Sequence, residues 1–120
     1  MNLTEALTRW SELEPLRCSL DDDSDTDSLF RVMLVERLRA IDVELHDHGR
    51  LEYAVREAIE ARPNFWDWQI RGSKEGVHYA GINFRNSHPG YKNYSASSSS
   101  SAAHALLIAY IAYLEGLVKI

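Results

Sequence analysis

Cysteine is nearly absent from this chain: Cys18 stands alone, so no intrachain disulfide can form, and no Cys/His spacing of a zinc module is present. A fold without covalent staples rests on its apolar core, and 45% hydrophobic content over 120 residues is enough for one. A long apolar run is missing too. The longest, Ala105 to Leu114, is about half of what a bilayer crossing requires. The opening residues Asn2, Leu3, Thr4 and Glu5 carry neither the basic segment nor the apolar run of a secretory signal. These absences predict a cytoplasmic protein with no membrane partner. Basic residues are scarce in the first half: residues 1–63 hold 15 Asp/Glu against 8 Lys/Arg (net −7), and residues 64–120 hold 3 against 5 (net +2). Such a field repels phosphates over most of the surface, so duplex nucleic acid is not an expected partner unless the C-terminal half makes the contact alone.

What is present reads as an α+β single domain over 1–120, with a helical part at about 1–63 and a sheet plus terminal helix at about 64–120. Leu3, Ala6, Leu7, Trp10 and Leu13 recur at helical spacing up to Pro15, which predicts a helix over 3–14. The acidic run 21–27 has nothing to bury and reads as a solvated loop whose Asp25, Thr26 or Asp27 caps a following helix. Phe30, Met33, Leu34, Leu38, Ile41 and Leu45 predict that helix over about 28–47, closed by Gly49. Leu51, Ala54, Val55, Ala58 and Ile59 start another stripe, which stops at Pro63. Two or three N-terminal helices are therefore expected.

From Phe65 the period changes to two. Trp66, Trp68 and Ile70 alternate with Asp67, Gln69 and Arg71; Gly72 to Gly76 make a turn; Ala80, Ile82 and Phe84 alternate with Tyr79, Gly81 and Asn83. The tryptophans, two apart, are expected on one face, packed in the core. A third strand over Tyr91 to Ala96 completes a two- to three-stranded antiparallel meander. Ser97 to Ser101 then lead into residues 102–119, a helix apolar on nearly every side and therefore buried. So small a domain has few layers with which to enclose it, which predicts a homo-oligomer formed through this helix.

Motifs for catalysis and metal binding are missing. A calcium loop beginning at Asp21 needs glycine at 26 and glutamate at 32, where Thr26 and Val32 stand. His46, Asp47, His48 and Glu52 have no partner cluster, and read as histidines at a helix C-terminus complementing its dipole. There is no Gly-x-Ser-x-Gly elbow, and Cys18 has no nucleophile context. No cofactor, metal site or catalytic residue is expected. The ligand-binding candidates are Arg85, Asn86, His88, Tyr91, Lys92, Tyr94 and Ser99, a cationic, amide, hydroxyl and aromatic set just before a helix N-terminus, where unpaired N–H groups favour an anion. Tyr91 and Tyr94 suit stacking on a base, Arg85 and Lys92 suit phosphate.

The order helix, meander, Ala-rich helix over Leu51 to Leu117, with Trp66, Asp67 and Trp68, Tyr79 to Tyr94 and the small residues at 95–105, resembles the small phage proteins that have an alpha-beta-alpha sandwich domain. The resemblance implies phage or prophage origin, hence the host-cell cytoplasm, and no defined activity, so it transfers no functional residue. Helix, three strands and helix is also the order in double-stranded-RNA-binding domains, but these hold phosphate with lysines at the start of the last helix, where Ser97 to Ser101 stand here. The expected function is non-catalytic binding: a phage-encoded accessory or counter-defence factor that sequesters a small phosphorylated or nucleotide signal, or occludes a host protein. The alternatives are a small nucleotide-modifying or hydrolytic enzyme using His88 or His104, and a structural phage subunit.

Overall fold

The structure is a computed structural model that describes residues 1–21, 29–34, 39–44, 48–85 and 91–118. Nine elements follow one another: α1 (Leu3–Leu13), β1 (Cys18–Asp21), β2 (Leu29–Leu34), β3 (Arg39–Glu44), α2 (His48–Glu60), β4 (Phe65–Gly72), β5 (His78–Arg85), β6 (Tyr91–Ser98) and α3 (Ala102–Val118). The strands form two antiparallel sheets, in the orders β1-β2-β3 and β4-β5-β6. The α+β class, the meander of three strands and the buried C-terminal helix are as expected. Among the described residues, no helix is long and apolar enough to cross a membrane.

One predicted helix is replaced by strands. Residues 29–34 and 39–44 pair as β2 and β3, with Phe30 opposite Val43 and Val32 opposite Ile41, and β1 pairs on the other side of β2 with Cys18 opposite Val32. Phe30, Val32 and Leu34, then Ile41 and Val43, also fit a period of two, and the β-branched members favour the pleated form. The 3.6-residue stripe counted three of these residues, Phe30, Leu34 and Ile41, under the wrong period. The acidic run, apart from Asp21 at the end of β1, lies outside the described residues, and the element after it is a strand with no helix dipole to cap. Gly49 sits in the first turn of α2 rather than closing a helix, and His48 opens α2 rather than sitting at a helix C-terminus.

α1 starts where Asn2 accepts a hydrogen bond from the Glu5 amide on its side-chain oxygen at 2.8 Å, and it buries Ala6, Leu7 and Trp10. α2 buries the predicted stripe Leu51, Ala54, Val55, Ala58 and Ile59. Both helices lie against α3, which also covers the inner face of β4-β5-β6. α1 contacts β1, and α2 contacts β2 and β3, so the first sheet attaches through these two helices. The core thus centres on α3, whose Ala105, Leu106, Leu107, Ala109 and Tyr110 are fully enclosed. Much of the apolar surface of this helix is covered within one chain, by α1, α2 and the sheet, while Leu117 near its end stays 43% exposed.

A polar knot ties the helices together. Glu14, just past α1, accepts from Trp10 Nε1 at 2.9 Å, from the Tyr110 hydroxyl at 2.7 Å and from Arg62 Nη2 at 2.6 Å. Burial, with the nearby Glu14 carboxylate, pushes the Tyr110 hydroxyl well above its ordinary pKa. Burial likewise pushes the Cys18 thiol up to about 12.

Candidate functional site

Sheet β4-β5-β6 has two unlike faces because its side chains alternate. The inner face carries Ala80, Ile82 and Phe84 from β5 and Tyr94 and Ala96 from β6, all packed beneath α3. The outer face carries Gln69 and Arg71 from β4, Tyr79, Gly81 and Asn83 from β5, and Asn93, Ser95 and Ser97 from β6. No described element covers it. Its floor is ordered by a ladder running across the strands: Asn83 Nδ2 donates to Asp67 Oδ1 at 2.6 Å, and Asn93 Nδ2 donates to Asn83 Oδ1 at 2.9 Å. Each amide is fixed by its neighbour, so the polar groups are already oriented.

Gly81 opens this face into a groove of about 630 Å³, bordered by Gln69, Arg71, Tyr79, Asn93, Ser95 and Ser97. Glycine in a strand interior marks a place where something approaches the backbone closely. A Cβ at this position would meet only Asn93 Nδ2, at 3.6 Å. The space above it is therefore open to a ligand. At the groove rim the Arg71 guanidinium lies over the Tyr79 ring, 5.0 Å from its centroid, and the ring keeps 38% of its surface exposed. This end supplies a flat aromatic and a fork of five N–H donors; the walls supply neutral amides and hydroxyls.

The other end of the face is built by a β-bulge. Phe65 pairs with Phe84 and Asp67 with Asn83, which leaves Trp66 as the extra residue. A bulge re-aims the side chain it carries. Phe65 and Trp68 turn inward to the core, while Trp66 remains 45% exposed with the Arg85 guanidinium 4.1 Å from its ring centroid. The expectation that both tryptophans share a core-packed face is thus corrected. Trp68 is the inner one, its Nε1 donating to Glu60 Oε1 at 2.9 Å and its ring under Arg56. Arg85 is held in place by its backbone, whose amide donates to the Asn64 carbonyl at 2.8 Å.

The described members of the predicted site do not meet in one place. Arg85 sits on the outer face beside Trp66. Lys92 is exposed in β6, with Nζ 5.4 Å from the centroid of the Tyr94 ring. Tyr94 is a core residue, edge-on to Phe84 and to Tyr113 with ring centroids at 6.1 and 5.6 Å, and its hydroxyl lies where Gly116 lets α3 pass close. It is not a free stacking platform. Tyr91 is in register with Arg85; Asn86 and His88 lie outside the described residues. Ser99 is exposed beyond the far end of β6, and seven extended residues from Lys92 to Ser99 span about 23 Å. The strand therefore separates the cationic end from the start of α3.

The start of α3 is already capped in part. Ser101 Oγ accepts from the His104 amide at 3.0 Å, and Ser98 Oγ accepts from the Ser100 amide at 2.9 Å. The buried His104 ring bonds Ser98 Oγ at 2.7 Å through Nδ1 and the Met1 carbonyl at 3.0 Å through Nε2. With both nitrogens engaged, His104 is a structural clasp. Among the described residues, no group of three or more His, Cys, Asp or Glu side chains is placed to hold a metal ion.

Sequence reasoning missed Gln69, Arg71, Tyr79, Gly81, Asn93, Ser95 and Ser97 as a set. Their signal was the other half of the alternation, in which a strand-interior glycine lies between polar neighbours. The chain matches no family model, no curated protein and no solved structure.

Proposed function

We propose that this chain is a non-catalytic binding protein that holds a small phosphorylated, nucleotide-like ligand on the outer face of sheet β4-β5-β6. The observation that carries the proposal is the groove over Gly81, with Arg71 and Tyr79 at its rim and the hydrogen-bonded Asn93 amide, Gln69, Ser95 and Ser97 around it. A guanidinium suits phosphate as a bidentate donor, an exposed ring or guanidinium plane suits a base, and the Asn and Ser side chains suit base edges and sugar hydroxyls. Sequestration follows from the same chemistry, because the groove border supplies donors and stacking surface and no carboxylate, histidine or thiol. A phage-encoded counter-defence factor, the role expected of the sequence, would capture a signal in this way and return it unchanged.

The test is calorimetric titration of the full chain with a panel of nucleoside mono- and triphosphates, alongside Gly81→Phe and Arg71→Gln. Gly81→Phe fills the groove from the solvent side, so it abolishes binding while leaving stability within about 1 kcal/mol. Arg71→Gln weakens binding about tenfold or more. Binding that survives both substitutions, or no binding by any member of the panel, contradicts the proposal. Recovery of the ligand intact after denaturation separates capture from turnover.

A further inference from the structure

The outer face carries two arginine–aromatic pairs, one at each end of β5. Arg71 lies over Tyr79 at the groove, and Arg85 lies over Trp66 at the bulge. From Tyr79 to Arg85 is six extended residues, about 20 Å. That is much longer than a mononucleotide. At a stacked rise of about 3.4 Å per nucleotide it matches roughly six nucleotides, and fewer where the bases splay apart. Between the pairs lies the Asp67–Asn83–Asn93 ladder, a hydrogen-bonding floor with no bulky side chain rising from Gly81.

We infer that this face is a platform for single-stranded nucleic acid, with one base seated at Arg71–Tyr79 and another at Trp66–Arg85. This rests on the groove being a nucleotide site and extends it along the strand. Three observations carry it. First, Trp66 is exposed because a bulge turns it outward, whereas an ordinary strand would place it with Trp68 in the core. Second, the exposed Tyr79 and Trp66 rings are each paired with a guanidinium, giving each end a stacking plane and a phosphate donor. Third, charge favours this face: Arg71 and Arg85 outweigh Asp67, whose carboxylate is engaged by Asn83, and lie in the half of the chain with net charge +2, while residues 1–63 carry −7 and repel a phosphate chain from the rest of the molecule. A flat, open sheet face also suits a flexible strand better than the fixed curvature of a duplex, which presents its bases stacked inward.

The experiment is calorimetric titration of the full chain with thymidine monophosphate and with oligothymidylates of two to eight residues. Affinity is expected to rise at least tenfold from the monomer to a plateau near six residues. Trp66→Ala is expected to lower hexamer affinity about tenfold and to leave monomer affinity unchanged. Arg85→Gln, which keeps the tryptophan, is expected to weaken the hexamer alone and to make the salt dependence of its binding shallower. If the monomer binds and affinity stays flat with length, or if Trp66→Ala and Arg85→Gln leave the hexamer unaffected, the platform is overturned while the groove stands. If a matching duplex binds as tightly as the single strand, the platform is overturned as well. If neither monomer nor oligomer binds, the groove itself is not a nucleotide site and both readings fall.

Discussion

Replacing Glu14 with alanine removes the carboxylate on which three donors from different elements converge. Trp10 is fully enclosed, so its indole N–H loses an acceptor that water cannot replace, a cost of about 1–3 kcal/mol. The Tyr110 hydroxyl, also buried, loses its acceptor but still receives a hydrogen bond from Arg62 Nε at 3.1 Å, which puts its cost near the lower end of the same range, about 1 kcal/mol. The Arg62 side chain is 26% exposed, and water recovers much of its interaction, leaving about 1 kcal/mol or less. Together these give about 3 kcal/mol, or roughly 10 °C in Tm for a chain of this size. Glu14→Gln keeps an oxygen for Trp10 and Tyr110 and gives up the charge, so it costs about 1 kcal/mol. Urea unfolding followed by far-ultraviolet circular dichroism measures both, with the midpoint moving at constant m. A loss below about 1 kcal/mol for alanine, or equal losses for alanine and glutamine, refutes the argument from stranded donors.

The buried thiol makes a second prediction. The folded pKa of Cys18 is raised to about 12 from an ordinary value of 9.0, so between those values the unfolded chain has released a proton that the folded chain retains. Stability from this group is complete below pH 9 and is lost as pH rises toward 12; Cys18→Ala flattens that part of the curve, and the native thiol resists a thiol reagent until the chain unfolds. Leu107→Ala, at a fully enclosed position of α3, costs about 2–5 kcal/mol, independent of protein concentration, because its neighbours belong to the same chain. A midpoint that shifts with concentration contradicts that enclosure.

The parts of the fold legible in the sequence are those where one period excludes the other. Ala80, Ile82 and Phe84 alternate without interruption and form the buried row of β5; Leu51 to Ile59 fit only a helix and form α2. Residues 29–44 satisfy both templates, and tertiary pairing with β1 decided between them. Trp66 shows another limit. A bulge inserts one residue and reverses parity, and nothing in Phe65-Trp66-Asp67 marks it beforehand. The candidate site was displaced for a related reason: Arg85 to Ser99 is compact as text, but β6 is extended and holds its ends far apart. Neighbours on the outer face come from three strands and are close only through register, as Asp67, Asn83 and Asn93 are.

The central claim, that the outer face of β4-β5-β6 holds the ligand, is tested most directly by nuclear magnetic resonance titration of the isotopically labelled chain with a nucleoside phosphate. The amide resonances of Arg71, Tyr79, Gly81 and Ser95 are expected to shift progressively and saturably, while those of Ala105 to Ala109 in α3 stay still. Shifts confined to Ser99–His104, or none at saturating ligand, would contradict the account.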